Sequence, residues 1–205
     1  MQIRNIIFDL GAVIIDIDPA RTLACFAELT GKSEQDLKEI IARRPEIFAA
    51  YETGRIDTAG FRRELNGLLN SDMSEEEFAA AWNSIIFTIP GERVATLRQL
   101  KTRYRMFVLS NTNDLHARRV DEIVASSPEA SGLFAIFEKV YYSYRIQMKK
   151  PDIKTFQYVL EENDLEPSQT LFIDDLPENV EGAKNAGMRA ICVTRNKPVF
   201  DHLLC

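Results

Sequence analysis

Hydrophobic positions along the chain follow two different spacings. Short, nearly uninterrupted apolar runs occur at Ile3–Phe8, Met106–Leu109, Leu171–Ile173 and Ala190–Val193, with a weaker one at Val140–Tyr142. Each is flanked by polar or turn residues and is too short and too uniform for an amphipathic helix, so each predicts a buried strand. Between the runs the apolar spacing becomes helical: Val94, Leu97 and Leu100; Val120, Ile123 and Val124; Ile153, Phe156 and Leu160; Val180, Ala183 and Gly187. Strand alternating with helix implies an α/β fold with parallel pairing and right-handed crossovers.

The later strands follow one another at roughly 20–30 residues, the length of one crossover, whereas about 95 residues separate the first two. The surplus is patterned as helix. Leu37, Ile40 and Ile41 follow a predicted N-cap at Ser33, and Phe61, Leu65, Leu68 and Leu69 follow Thr58. Ser74 and Glu77 form a capping-box pattern ahead of Phe78, Trp82, Ile85 and Ile86. Residues 17–88 are therefore expected to form a small helical bundle inserted into a core made of 1–16 and 89–205, with Pro19 and Pro90–Gly91 at the two crossings. That insertion would sit over the carboxyl end of the first strand, the edge where open parallel sheets bind ligands.

Composition narrows the field. Of 205 residues, 45% are apolar and 27% charged, which excludes a disordered chain or a coiled-coil rod. The 31 acidic and 25 basic side chains give a formal charge of −6, and no Lys/Arg run exceeds two, so no nucleic-acid partner is expected. The window Ile3–Ile17 is interrupted by Arg4, Asn5, Asp9 and Asp16, so neither a membrane span nor a secretory signal is expected. Cys25, Cys192 and Cys205 have neither zinc nor disulfide-framework spacing, which makes a reducing cytoplasm the expected location.

The chemistry gathers at strand ends. The first strand runs into Asp9-Leu10-Gly11, the second into Ser110-Asn111, and the fourth into Asp174-Asp175. A parallel sheet brings these ends to one edge. Three carboxylates at one site require a cation or a proton, and oxygen donors without His or Cys favour Mg²⁺. With Mg²⁺ and Lys150 added, the site would be neutral and suited to an incoming phosphate dianion.

The segments FDLGAVIIDID, VLSNTN, MKKPD and FIDDLPENVEGAKNAGM stand in the order and rough spacing of the haloacid dehalogenase superfamily. The chain resembles its members with a helical cap between the first and second motifs. It is also similar, through VLSNTNDLH to Leu204-Cys205, to a bacterial subgroup that includes α-D-glucose-1-phosphate phosphatases. The resemblance implies a Rossmann-like, doubly wound parallel sheet and a Mg²⁺-dependent phosphatase acting on a small phosphorylated metabolite, with a sugar 1-phosphate as leading substrate. It implies that Asp9 is the nucleophile and a metal ligand, and that Ser110 and the amide of Asn111 hold the phosphoryl oxygens. Lys150 would neutralise those oxygens. Asp175 and the Gly11 carbonyl would hold Mg²⁺, and Asp174 would do so directly or through water. Attack by the carboxylate would give an aspartyl-phosphate that water then hydrolyses. Asn179 stands where many members carry Asp, which shifts weight onto Asp174 and Asp175.

Gly11 is the main departure, because most phosphatases of the family carry an Asp there that protonates the leaving oxygen. Such assistance is typically worth about 10²–10⁴-fold. Three outcomes stay open: a substitute donor (His116, Asp16, Asp18 or Glu52), a substrate whose leaving oxygen is already acidic, or a protein that binds phosphate compounds and turns them over poorly. The acidic leaving oxygen is favoured. A metal-free 2-haloacid dehalogenase and a non-enzymatic phosphometabolite sensor are the alternatives. His116 is expected on a solvent-facing helix turn, Trp82 in the core of the bundle, and Arg55 and Lys101-Arg103-Arg105 in solvent.

Overall fold

A computed structural model describes residues 2–196 of the chain, so Leu204 and Cys205 lie outside the described residues. The chain enters β1 (Asn5–Phe8), turns, and forms β2 (Asp16–Ile17). Helices α1 (Pro19–Thr30), α2 (Glu34–Ala42), α3 (Pro45–Glu52), α4 (Thr58–Leu69) and α5 (Glu75–Asn83) follow. Strand β3 (Ile86–Thr88) then pairs antiparallel with β2. Helix and strand alternate from there: α6 (Gly91–Leu100), β4 (Arg105–Ser110), α7 (Asp114–Ser126), β5 (Lys139–Tyr142), the single turn α8 (Ser143–Ile146) and α9 (Ile153–Glu162). The last elements are β6 (Thr170–Asp174), α10 (Pro177–Asn185) and β7 (Arg189–Cys192).

The main sheet has the order β5-β4-β1-β6-β7 and is parallel throughout. Successive side chains alternate between its faces. Ile6, Phe8, Met106, Val108, Leu171 and Ile173 pack with Val94, Leu97 and Leu100 of α6 and Ala117 and Val120 of α7. Ile7, Phe107, Leu109 and Phe172 pack with Phe156, Val159 and Leu160 of α9 and Ala183 of α10. Coverage of both faces is why the strand sequences are uniformly apolar rather than alternating. The fold is the Rossmann-like, doubly wound sheet, with each predicted strand present and its ends shifted by a residue or two. Ile153 departs from its predicted stripe: as the first residue of α9 it is 38% exposed, and Thr155, Phe156, Val159 and Leu160 form the buried face.

Helices α1–α5 share an apolar cluster of their own, including Phe26, Leu37, Phe61, Leu65, Leu69 and Phe78. Ser33 caps α2, and Ser74 and Glu77 close the predicted capping box on α5. At α4 the cap is Asp57 rather than Thr58: Asp57 Oδ1 accepts the Gly60 N–H at 2.7 Å. Thr58 is the first helical residue, and its hydroxyl donates instead to Asp114 Oδ1 of α7 at 2.7 Å. The helices therefore contact the sheet layer through specific polar groups. They also approach it closely at Gly54 (φ +66°), where an added Cβ would lie 2.3 Å from the Tyr144 carbonyl oxygen. No described helix is long and apolar enough to cross a membrane.

Candidate active site

Strand order reverses around β1, which has β4 on one side and β6 on the other. The register pairs Phe8 with both Val108 and Ile173, so Asp9, Ser110 and Asp174 emerge at the same carboxyl edge. The Asp9 N–H donates to the Ile173 carbonyl at 2.8 Å, which holds the residue at the end of the ladder. Its side chain faces the loop between α8 and α9. There Lys150 Nζ lies 2.6 Å from Asp9 Oδ1 and 2.7 Å from Asp174 Oδ2. Lys150 is 1% exposed and Asp174 is fully buried.

Asn111 fixes that lysine from below. Its Oδ1 accepts the Lys150 N–H and its Nδ2 donates to the Lys150 carbonyl, each at 2.9 Å. The Asn111 side chain thus holds backbone. Asn179 Nδ2 donates to both oxygens of Asp174 at 3.1 Å, and the Leu176 N–H donates to Oδ1 at 2.9 Å. With Lys150 on Oδ2, Asp174 has its hydrogen bonds satisfied by protein alone. The buried Oδ2 of Asp175 is paired with Arg195 Nη2 at 2.8 Å.

Electrostatics follow from burial. Desolvation pushes the Asp9 carboxyl up to about 7, with Lys150 opposing and Asp174 reinforcing the shift. Burial alone would lower Lys150, but Asp9 and Asp174 outweigh it and its pKa is raised, so it remains an ammonium. Burial also raises Asp175, against the pull of Arg195. Oxygens of Asp9, Asp174 and Asp175 lie within 4.8 Å of one another. Three carboxylates that close, with oxygen donors only, fit a hard divalent cation such as Mg²⁺.

Asp9, Lys150 and Asp175 floor a cavity of about 470 Å³, which also takes in Gly11, Ser110 and Asn111. Its walls include Ile17, Trp82 and Ile86, together with Glu52 and Lys149, which pair with each other across the mouth. Gly11 has ordinary backbone geometry, and a Cβ there would meet the Ile17 side chain in ordinary contact, Cδ1 at 3.5 Å and Cγ2 at 3.7 Å.

The four residues weighed as replacement acids separate cleanly. Asp16 pairs with the buried Arg93 at 2.7 Å, and Asp18 caps α1 by accepting the Ala20 N–H; neither lines the cavity. Glu52 lines it, paired with Lys149. His116 also lines it, contrary to the solvent-facing position expected. Its ring stacks on Trp82, and Nε2 lies 3.0 Å from the Trp82 carbonyl oxygen. Asn113 Oδ1 accepts from both His116 N–H and Trp82 Nε1, so its Nδ2 is the group facing His116 Nδ1 at 3.1 Å. That assignment puts the imidazole proton on Nε2, donated to the Trp82 carbonyl. His116 has no proton to offer a leaving group. Trp82 packs with Phe78 and Phe61 as expected and lines the cavity as well. The sequence reading missed Lys149 and Arg195 as wall residues; adjacency to Lys150 could have flagged the first, whereas no local pattern flags the second.

Comparison with known proteins agrees with this architecture. Residues 3–187 match the haloacid dehalogenase-like hydrolase family. The chain is 30% identical over 190 residues to a D-ribitol-5-phosphate phosphatase of Bacteroides thetaiotaomicron, covering 91% of this chain and 89% of that one. A family enzyme from the same organism, solved with magnesium and inorganic phosphate, superposes with a TM-score of 0.87 at 31% identity over 98% of both chains. A family hydrolase of Porphyromonas gingivalis gives 0.83 at 29% identity, covering 100% of this chain and 97% of that one. The chain belongs to the haloacid dehalogenase-like hydrolases.

Proposed function

We propose that the protein is a Mg²⁺-dependent phosphomonoesterase that works through an aspartyl-phosphate on Asp9. The observation that carries this reading is the meeting of Asp9 and Lys150 at the floor of a cavity, with oxygens of Asp9, Asp174 and Asp175 within 4.8 Å of one another. Asp9 attacks phosphorus in line, Lys150 neutralises the phosphoryl oxygens, and Ser110 with the Asn111 amide holds them. Asp9, Asp175 and the Gly11 carbonyl hold Mg²⁺, which when bound supplies positive charge beside the transferring group. Asp174, saturated by Lys150, Asn179 and Leu176, orients the lysine and would serve a bound metal directly or through water. Residues 17–88 act as a cap that covers the site and excludes water.

The substrate is a small phosphorylated metabolite with a comparatively acidic leaving oxygen, as in a sugar 1-phosphate. Gly11 offers no proton, His116 has its proton engaged, and Asp16 and Asp18 point elsewhere. A second reading, a polyol or sugar 5-phosphate, is favoured by similarity to the ribitol-5-phosphate phosphatase. Orthophosphate release with Mg²⁺ from aryl, anomeric and primary alkyl phosphates separates them. The first reading expects the anomeric ester to exceed the primary ester by at least a hundredfold in kcat/KM. Rates within tenfold favour the second, and no turnover of any ester favours a binding protein.

A further inference from the structure

The turn between β1 and β2 carries Gly11 and leads into the first crossing to the helical insertion. The turn is closed locally by Ala12 N–H on the Ile15 carbonyl at 2.7 Å and by the Ile14 and Ile15 N–H groups on the Leu10 carbonyl at 2.9 Å, but these bonds leave the Ala12 carbonyl and β2 to other partners. Ala12 has φ +61°, a left-handed conformation disfavoured for any residue with a Cβ. Strand β2 has two residues, and its register with β3 is irregular between Asp16 and Ile17. A ladder that short does not hold itself.

Asn196, just past β7, ties the turn and β2 together from outside. Its N–H donates to the Ala12 carbonyl at 2.8 Å. Its side chain pairs with Ile17 as a neighbouring strand would: Oδ1 accepts the Ile17 N–H at 3.0 Å and Nδ2 donates to the Ile17 carbonyl at 2.8 Å. The Asn196 carbonyl accepts from Nη2 of the buried Arg93 at 2.6 Å, and the same Nη2 lies 2.7 Å from Asp16 Oδ1. Asn196 itself has φ +57°, which asparagine tolerates better than most residues. Gly11 and Ile17 both face the cavity, and Ile17 is the side chain nearest the space beside Gly11.

We propose that Asn196 is a positioning residue: by clasping Ala12 and Ile17 it holds the turn bearing Gly11 and the wall formed by Ile17 in the geometry the reaction uses. This role rests on the phosphatase reading above, but amide exchange at the clasp does not depend on activity.

The test compares amide hydrogen exchange and Mg²⁺-supported hydrolysis of p-nitrophenyl phosphate in the unmodified protein, Asn196→Gly and Asn196→Asp. Glycine removes the side chain without straining a positive φ. In the unmodified protein the Ile17 amide should exchange at least a hundredfold more slowly than an unstructured amide. In Asn196→Gly it should exchange at least tenfold faster than in the unmodified protein, with β4 and β6 amides unchanged and kcat about tenfold lower at a KM within twofold. Asn196→Asp keeps the acceptor for Ile17 and should restore its protection to within threefold. An unprotected Ile17 amide in the unmodified protein overturns the proposal, and that rate is readable even where a variant does not fold. So does a kcat in Asn196→Gly within twofold of the unmodified value, or equal acceleration of β4 and β6 amides. If the unmodified protein hydrolyses no ester, the phosphatase reading falls and the exchange comparison alone decides whether Asn196 holds the turn.

Discussion

Trp82 of α5 and His116 of α7 stack with ring centroids 5.1 Å apart and planes 9° from parallel, joining the helical insertion to the sheet layer. The other face of the indole is taken by Phe78 at 6.0 Å, nearly parallel. The histidine is thus part of a wall and a joint, and its titration reports on that joint.

Burial lowers the His116 pKa from 6.5 to about 4, the Trp82 carbonyl and Asp114 pulling the other way. The folded value lies below the unfolded one, so the unfolded chain binds the extra proton between them. The contribution to stability is complete above pH 6.5 and is lost as pH falls toward 4, by about 3 kcal/mol at most. Urea unfolding from pH 7 to 4 should show a shallower decline for His116→Gln than for the unmodified protein. Parallel declines would mean that the ring is solvated.

Asp9→Asn should reduce kcat by more than about a thousandfold, because an amide is no nucleophile toward phosphorus. The fold should survive, since Lys150 keeps Asp174 as partner at 2.7 Å. Circular dichroism with a phosphate-release assay checks both parts; retained turnover would remove Asp9 from the mechanism.

Chelation by EDTA should abolish hydrolysis, and added Mg²⁺ should restore it. Halide release from a 2-haloacid that EDTA leaves undiminished would point instead to a metal-free dehalogenase.

Gly11→Asp should fold, because a Cβ there meets nothing closer than 3.5 Å. It should accelerate esters with poor leaving groups by about a hundredfold and leave aryl phosphates nearly unchanged. No gain on primary alkyl phosphates would mean that another group, with Glu52 the first to examine, already donates the proton.

Gly54→Ala combines a positive φ with a clash at 2.3 Å against the Tyr144 carbonyl oxygen. The loss should be about 2 kcal/mol by thermal or urea unfolding. A neutral result would mean that α3 shifts freely on the sheet layer.

Much of this molecule was legible because its signals are local. The apolar runs of β1, β4 and β6 mark strands covered on both faces, and each ends in residues whose placement follows from parallel pairing. Ser74 and Glu77 predict their capping box because both partners lie within one turn. Asp57 and Thr58 are adjacent cap-competent residues; Asp57 takes the cap, and Thr58 reaches Asp114, 56 positions away, which no local pattern announces. The place of His116 was hidden likewise, because its stacking partner Trp82 lies on α5, 34 positions away. Strands β2 and β3, at two and three residues, are shorter than any period can register. Asn196 reaches Ile17 across 179 positions, and nothing in its own neighbourhood announces it.

The ammonium of Lys150, seated between two carboxylates at the bottom of the cleft, acts as a tethered counter-ion that cannot diffuse away. Its charge travels with the polypeptide, so newly made chains can assemble the acidic floor before any divalent ion arrives. Magnesium is then free to enter and leave a finished vessel, and occupancy tracks supply instead of folding history.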